Sequence, residues 1–129
     1  MVPFYIGEVM RRRTEQLEEE RNVARAIEKL NKDETDLVIV TDDSEPVGVF
    51  THTEVIKLVD ERKDISTTRL GDMTLSPVLT VEESADIETA AEIMNRNGLG
   101  YVLVKKANNL IGYLTARDVS KALSETDEI

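Results

Sequence analysis

The chain has no cysteine and no tryptophan in 129 residues, and only five aromatic side chains: Phe4, Tyr5, Phe50, Tyr101 and Tyr113. Without cysteine there can be no disulfide, thiolate nucleophile or thiolate metal site. Positive charge is also scarce. Lys and Arg number 16 against 26 Asp and Glu, a formal net charge of −10. The one dense basic run is Arg11-Arg12-Arg13. Nucleic acids are held by clustered cations and stacked on aromatic platforms, so none is expected as a partner. No apolar run approaches the roughly 20 residues that cross a bilayer. The basic cluster follows the first apolar stretch, the wrong order for a secretory signal. The expectation is a cytoplasmic chain with no membrane partner.

Signals for catalysis are equally thin. His52 is the only histidine, and without cysteine it cannot build a typical zinc site. The chain has no Gly-x-Ser-x-Gly elbow, Walker loop, dinucleotide fingerprint or metalloprotease helix. Adjacent carboxylates occur only in charged runs such as Glu18-Glu19-Glu20, which gives no reason for a perturbed general acid. No enzyme activity, catalytic residue, metal or required cofactor is expected.

What the chain does have is an internal duplication. Arg21–Glu61 laid on Ala85–Glu125, a shift of 64 residues, gives ten identities in forty-one positions, where chance gives about two or three. Physical roles match as well. Val23, Ala26, Ile27 and Leu30 correspond to Ile87, Ala90, Ala91 and Met94, an i, i+3, i+4, i+7 helical stripe in each copy. Asn22 and Asp86 precede the stripes as N-cap types. Each helix leads to a short apolar strand, Leu37–Val40 or Tyr101–Val104. A polar turn follows, 41–45 or 105–109, and then a second strand, Pro46–Phe50 or Leu110–Leu114. Thr51 and Thr115 open second helices, with Val55, Leu58 and Val59 apolar in one and Val119, Ala122 and Leu123 in the other. Upstream, Val9-Met10 matches Asp72-Met73 at a shift of 63, which implies a one-residue length difference before the first helix.

The organisation is therefore α+β: two tandem β-α-β-β-α repeats, 1–64 and 65–129, in one globular module. Each hairpin shows an apolar face its own helices cannot cover, so the repeats are expected to pack sheet to sheet about a pseudo-twofold axis. A closed twofold homodimer is the expected assembly.

The second strands end in Gly48-Val49-Phe50-Thr51-His52-Thr53-Glu54 and Gly112-Tyr113-Leu114-Thr115-Ala116-Arg117-Asp118. A Thr at a strand-to-helix boundary stands where helix N–H groups and the helix dipole favour an anion. The acid three residues on shares its face and can accept from a vicinal diol such as a ribose. The same Thr-x-x-acid spacing is also a capping box, which needs no ligand. Both readings stand at this level. Arg117 is placed to reach a phosphate or to sit in solvent. His52 has the same two options. Arg11–Arg13 either supplies charge to a polyphosphate or balances neighbours such as Glu18–Glu20.

The duplicated Gly-apolar-apolar-Thr-x-x-acid motifs, the twin helical stripes and the stretch Asp72-Met73-Thr74-Leu75-Ser76-Pro77-Val78-Leu79-Thr80-Val81 resemble the cystathionine-β-synthase (CBS) domain, found as tandem pairs called Bateman modules. The likeness runs from about residue 6 to residue 124. It implies a non-catalytic regulatory module that binds AMP, ADP, ATP or S-adenosylmethionine in clefts between repeats and assembles as a disk-like dimer. Motif Thr residues would lie near phosphate and the acids on ribose, which assigns Thr115 with Asp118 and Thr51 with Glu54. By the family's pseudo-symmetry, Thr51 and Glu54 would face Thr74, Val78, Leu99, Gly100 and Tyr101. Thr115 and Asp118 would face the segments around Arg11, Thr35, Asp36 and Leu37.

The first repeat departs from the family pattern. Glu54 stands where Asp is usual, and Asp36 is an awkward neighbour for a purine. The Thr115–Asp118 site is the favoured one. AMP leads among the ligands because few cations surround the motifs, with output through the dimer or an unidentified regulated protein. The alternative is a ligand-independent dimerisation or interaction module whose Thr and acid residues only cap helices.

Overall fold

The structure, a computed structural model, describes residues 4–125. In chain order the elements are α1 (Ile6–Val9), β1 (Gln16–Glu18), α2 (Val23–Lys32), β2 (Val38–Asp42), β3 (Glu45–Phe50), α3 (His52–Asp60), β4 (Thr80–Glu82), α4 (Ile87–Asn97), β5 (Tyr101–Lys106), β6 (Asn109–Thr115) and α5 (Ala116–Ser124), with a 3₁₀ turn at Leu70–Asp72. They form two three-stranded sheets, ordered β1-β2-β3 and β4-β5-β6. In each sheet the first strand runs parallel to the second and the second antiparallel to the third. The fold is α+β, and each sheet carries one β-α-β-β-α repeat.

Helix formation follows local chemistry. The Asn22 side chain accepts from the Ala24 N–H at the start of α2, and the Asp86 side chain accepts from the Thr89 N–H at the start of α4. Val23, Ala26 and Leu30 are buried on α2, as are Ile87, Ala90 and Met94 on α4. Both helices end through a left-handed residue: Gly98 at φ 64° after α4, and Glu34 at φ 54° at the matching place after α2. Only glycine takes that conformation without a Cβ penalty.

One sequence expectation is corrected. The hairpin turns are not five residues long, because β2 continues through Asp42 and β5 through Lys106, leaving Asp43-Ser44 and Ala107-Asn108 as two-residue turns. Strand ends that project past the core are polar, so they read as turn. Asp43 (φ 50°) and Ser44 (φ 70°) are both left-handed, the backbone that matches a tight hairpin to the strand twist. Of the apolar residues of α3, Val59 is 71% exposed and Ile56 is 67% exposed. Leu58 alone points fully inward among the apolar residues of that helix.

The chain divides into two compact units that cut across the sequence repeat. One is continuous, Glu15–Val78. The other is split, taking the chain up to Thr14 and then from Leu79 onward. Each unit is completed by the lead-in segment that precedes the other sheet in sequence. In the split unit, the Ile6 and Gly7 N–H groups donate to Ala85 O (2.8 Å) and Glu83 O (3.0 Å). In the continuous unit, Leu70 and Gly71 do the same to Arg21 O and Glu19 O, both at 2.9 Å. Ile6 and Leu70 are completely buried. The length difference has a geometric source. Met10 N–H closes an α-type bond onto Ile6 O, whereas Met73 N–H closes a 3₁₀-type bond onto Leu70 O, one residue shorter.

Each lead-in then crosses the free edge of its sheet. Arg11 and Tyr113 exchange two backbone hydrogen bonds (2.8 and 3.0 Å), and Ser76 and Val49 exchange two more (2.8 and 3.0 Å). No helix among the described residues is long and apolar enough to cross a membrane.

Candidate functional site

The bridging residues explain the motif glycines. A Cβ at Gly112 would run into the carbonyl oxygen of Arg11, and one at Gly48 would lie 2.6 Å from Leu75 Cβ and Cδ1. At Gly112 a second backbone approaches closely, and at Gly48 the Leu75 side chain does, so each position favours a residue without a Cβ. Sequence reasoning recorded these glycines as part of a pattern without finding that reason.

Past the bridges come the motif Thr and acid. In the split unit, Thr115 caps α5. Its N–H and Oγ donate to Asp118 Oδ2 at 3.1 and 2.9 Å, and Oγ accepts from the Asp118 N–H at 3.2 Å. Arg11 Nε donates to Asp118 Oδ1 at 3.0 Å and Oδ2 at 3.3 Å. Asp118 is 9% exposed, while the Arg11 side chain is 42% exposed. Arg11, Asp118 and Lys121 help line a cavity of about 540 Å³, which Glu8 and Glu125 also border.

In the continuous unit, Thr51 caps α3. Its N–H and Oγ donate to Glu54 Oε1 at 2.7 and 2.8 Å, and Oγ accepts from the Thr53 N–H at 3.1 Å. Ser76 Oγ donates to Glu54 Oε2 at 2.7 Å, and Lys57 Nζ lies 3.6 Å from the same oxygen. Glu54 has no solvent exposure. Both acids therefore close capping boxes, and each takes a further bond from the bridging residue of its lead-in.

That correspondence accounts for the irregular Glu54. The short Asp118 is met by the long Arg11, and the longer Glu54 by the short Ser76. Either pairing spans the gap between helix start and bridge. One is an ion pair open to solvent on the arginine side. The other is a buried carboxylate held by hydroxyls.

The remaining expected residues divide between the units. In the split unit the Gly100 carbonyl accepts from the Ala116 N–H at 2.9 Å, which brings the α4–β5 loop to the start of α5. Leu99 lines a mainly apolar cavity of about 450 Å³ there with Met94, Ala116 and Val119. Tyr101 is buried in β5, and Arg117 is exposed. In the continuous unit Thr35 is buried and donates to Leu37 O at 2.9 Å, Asp36 is exposed and Leu37 is buried. Thr74 is exposed, with its carbonyl 3.3 Å from Lys57 Nζ, and Val78 is half-buried. His52 is an exposed first residue of α3.

Within the basic run, Arg12 pairs with Glu83 at 2.7 Å and donates to Gly7 O at 3.0 Å, both in the split unit. Carboxylates of Glu19, Glu20 and Asp42 lie within 4.8 Å of one another, at the far end of the β2–β3 hairpin from Thr51. Repulsion from Asp42 raises the Glu19 pKa, with burial and Glu20 adding to it.

The chain is similar to known proteins. The family model described as the CBS domain matches this chain twice, at residues 6–61 and 70–125. An uncharacterised protein of Methanopyrus kandleri is 33% identical over 85 residues, covering 64% of this chain and 43% of that protein. The chain thus spans less than half of that relative. Among solved structures, a CBS domain protein from Pyrobaculum aerophilum complexed with AMP is 24% identical with a TM-score of 0.79, over 95% of this chain and all of that one. A CBS domain pair in complex with 5′-methylthioadenosine and S-adenosyl-L-methionine is 16% identical with a TM-score of 0.82, over 94% and 96%. At these identities the structures bear on the fold alone. With both repeats matched across most of its length, the chain belongs to the CBS domain family.

Proposed function

We propose that this chain is a non-catalytic regulatory module that binds an adenosine-containing ligand at Thr115 and Asp118. The observation that carries the reading is the pairing of a helix-capping hydroxyl with a carboxylate that is largely buried yet borders a cavity, at the start of α5. That arrangement offers an anion-favouring helix end beside an acceptor for a ribose diol. Fold relatives that hold AMP, or 5′-methylthioadenosine with S-adenosyl-L-methionine, support the ligand class. Thr51 and Glu54 are the weaker candidate, since Glu54 has no exposure at all whereas Asp118 keeps 9% and borders a cavity.

AMP is the preferred ligand, ahead of ADP, ATP and S-adenosylmethionine. The cations near Thr115 and Asp118 are few (Arg11, Arg117 and Lys121), and the chain carries a net charge of −10, which disfavours a polyphosphate. Output passes through a homodimer or a protein partner, and ligand acts only if it binds two arrangements with different affinity.

A second reading has its own observation. Both motifs form complete capping boxes from protein groups alone, as a ligand-independent interaction module would need. Titration calorimetry and thermal shift with AMP, ADP, ATP and S-adenosylmethionine separate the two. A native-state ligand must raise the melting temperature, and Thr115→Ala with Asp118→Ala should remove that rise. No shift with any of the four at millimolar concentration would leave the capping reading.

A further inference from the structure

The Asp118 carboxylate is already committed in this structure. Oδ2 takes the Thr115 N–H and hydroxyl, and Arg11 Nε lies within hydrogen-bond range of both oxygens. A ribose diol that uses Asp118 must therefore compete with Arg11. Arg11 is well placed to be such a competitor. Its backbone is pinned by two hydrogen bonds to Tyr113 against the side-chain-free Gly112, so the guanidinium approaches Asp118 from a fixed origin. The side chain is 42% exposed and borders a cavity that also holds the carboxylates of Glu8 and Glu125. It thus has space, and alternative acceptors, when displaced.

The other unit shows the contrast. There the hydrogen-bond donor is Ser76, a neutral hydroxyl on a carboxylate with no exposure, and the cation beside it, Lys57 Nζ at 3.6 Å, lies beyond hydrogen-bond distance.

We infer that Arg11 is a positioning residue that gates Asp118: its ion pair holds the carboxylate in the unliganded protein and must be exchanged when a ligand's diol binds. The inference rests on the Thr115–Asp118 ligand reading and adds to it a charge-dependent cost of entry. An exchange that breaks an ion pair becomes easier as salt screens the pair. An uncharged ligand isolates that effect, because it has no ionic attraction of its own.

The test is calorimetric binding of adenosine and of AMP to the full chain at about 50 and 500 mM KCl. Wild-type protein should bind adenosine more tightly at the higher salt. Arg11→Met, which keeps the aliphatic stem but removes the donor, should bind adenosine about fivefold more tightly at low salt and show little salt dependence. Arg11→Lys should restore the salt dependence. Should Arg11→Met lose its fold, Arg11→Gln, neutral but still a donor, should also flatten the salt response. Equal salt response and equal adenosine affinity in wild type and Arg11→Met would overturn the gate, while AMP binding that is lost in Asp118→Ala would leave the site standing. Failure of both ligands to bind every variant would overturn the site and the gate together.

Discussion

At the scale of single residues, the two glycines of the repeated motif do not carry equal weight. A methyl group at position 112 meets backbone, the Arg11 carbonyl, while one at position 48 meets the side chain of Leu75. A side chain can shift, and a bridging backbone held by two hydrogen bonds cannot without losing them. Overpacking of this kind costs about 1–3 kcal/mol. Gly112→Ala should fall at the upper end and Gly48→Ala at the lower, read from urea unfolding midpoints. Equal costs would mean that the Arg11 bridge yields as readily as Leu75. Residue identity alone flagged these positions as special, but the reason lies in a chain segment about one hundred residues earlier for Gly112 and in Leu75 for Gly48. The pairing of Arg11 with Asp118 and of Ser76 with Glu54 has the same origin. No local pattern reveals that a longer acid is matched by a shorter donor.

At the scale of elements, the helices were the most legible part of the sequence, since Asn22 and Asp86 cap them and their apolar stripes face inward. Two tests belong here. Glu34 adopts at φ 54° the left-handed conformation that Gly98 adopts at φ 64° in the other copy. Glu34→Gly should therefore stabilise the chain by about 1 kcal/mol in denaturant unfolding, since a Cβ is strained in that conformation. Loss of stability would show that Glu34 contributes contacts outweighing that strain. Asp86 supplies a pH test. The Thr89 N–H, then the Thr89 hydroxyl, lowers its pKa below the ordinary value of 3.8, with a smaller bond from Glu88. A depressed carboxylate stabilises fully above its unfolded pKa and loses that contribution as pH falls through the folded value. Asp86→Ala should be less stable than wild type near pH 6, and the difference should shrink as pH drops below about 3.8. A gap independent of pH would show that the ionised cap is not its source. The hairpins were less legible. Asp42, Lys105 and Lys106 are strand residues that look like turn residues because the strands outrun the apolar core, and Thr41 looks like one because it is polar although buried.

At the scale of the whole molecule, the sequence repeat and the compact units are different partitions. The repeat is a pattern of duplication. The units show which segments complete which sheet: Glu15–Val78 includes Leu70 and Ser76, while Ile6 and Arg11 belong with the sheet that begins at Thr80. A peptide of residues 15–78 should therefore keep more cooperative structure than one of residues 1–64. The second peptide lacks the buried Leu70 and the Ser76–Val49 bridge while carrying a lead-in whose partners are absent. Far-UV circular dichroism in a urea titration would compare them, and a steeper transition for 1–64 would refute the assignment.

By itself the sequence determined the duplication, the helices with their caps, the α+β class and the Thr-x-x-acid motifs, because these depend on neighbours a few residues apart or on periodicity along one element. Only the tertiary structure decided why glycine precedes each motif, that Arg11 rather than solvent meets Asp118, and that Glu54 is sealed by Ser76. Those contacts join segments far apart in the chain, where distance along the sequence carries no information about distance in space. The scarcity of cations sharpens in the same way. Among 16 basic residues, the one bonded to the motif carboxylate of the split unit is Arg11, and the fold alone put it there.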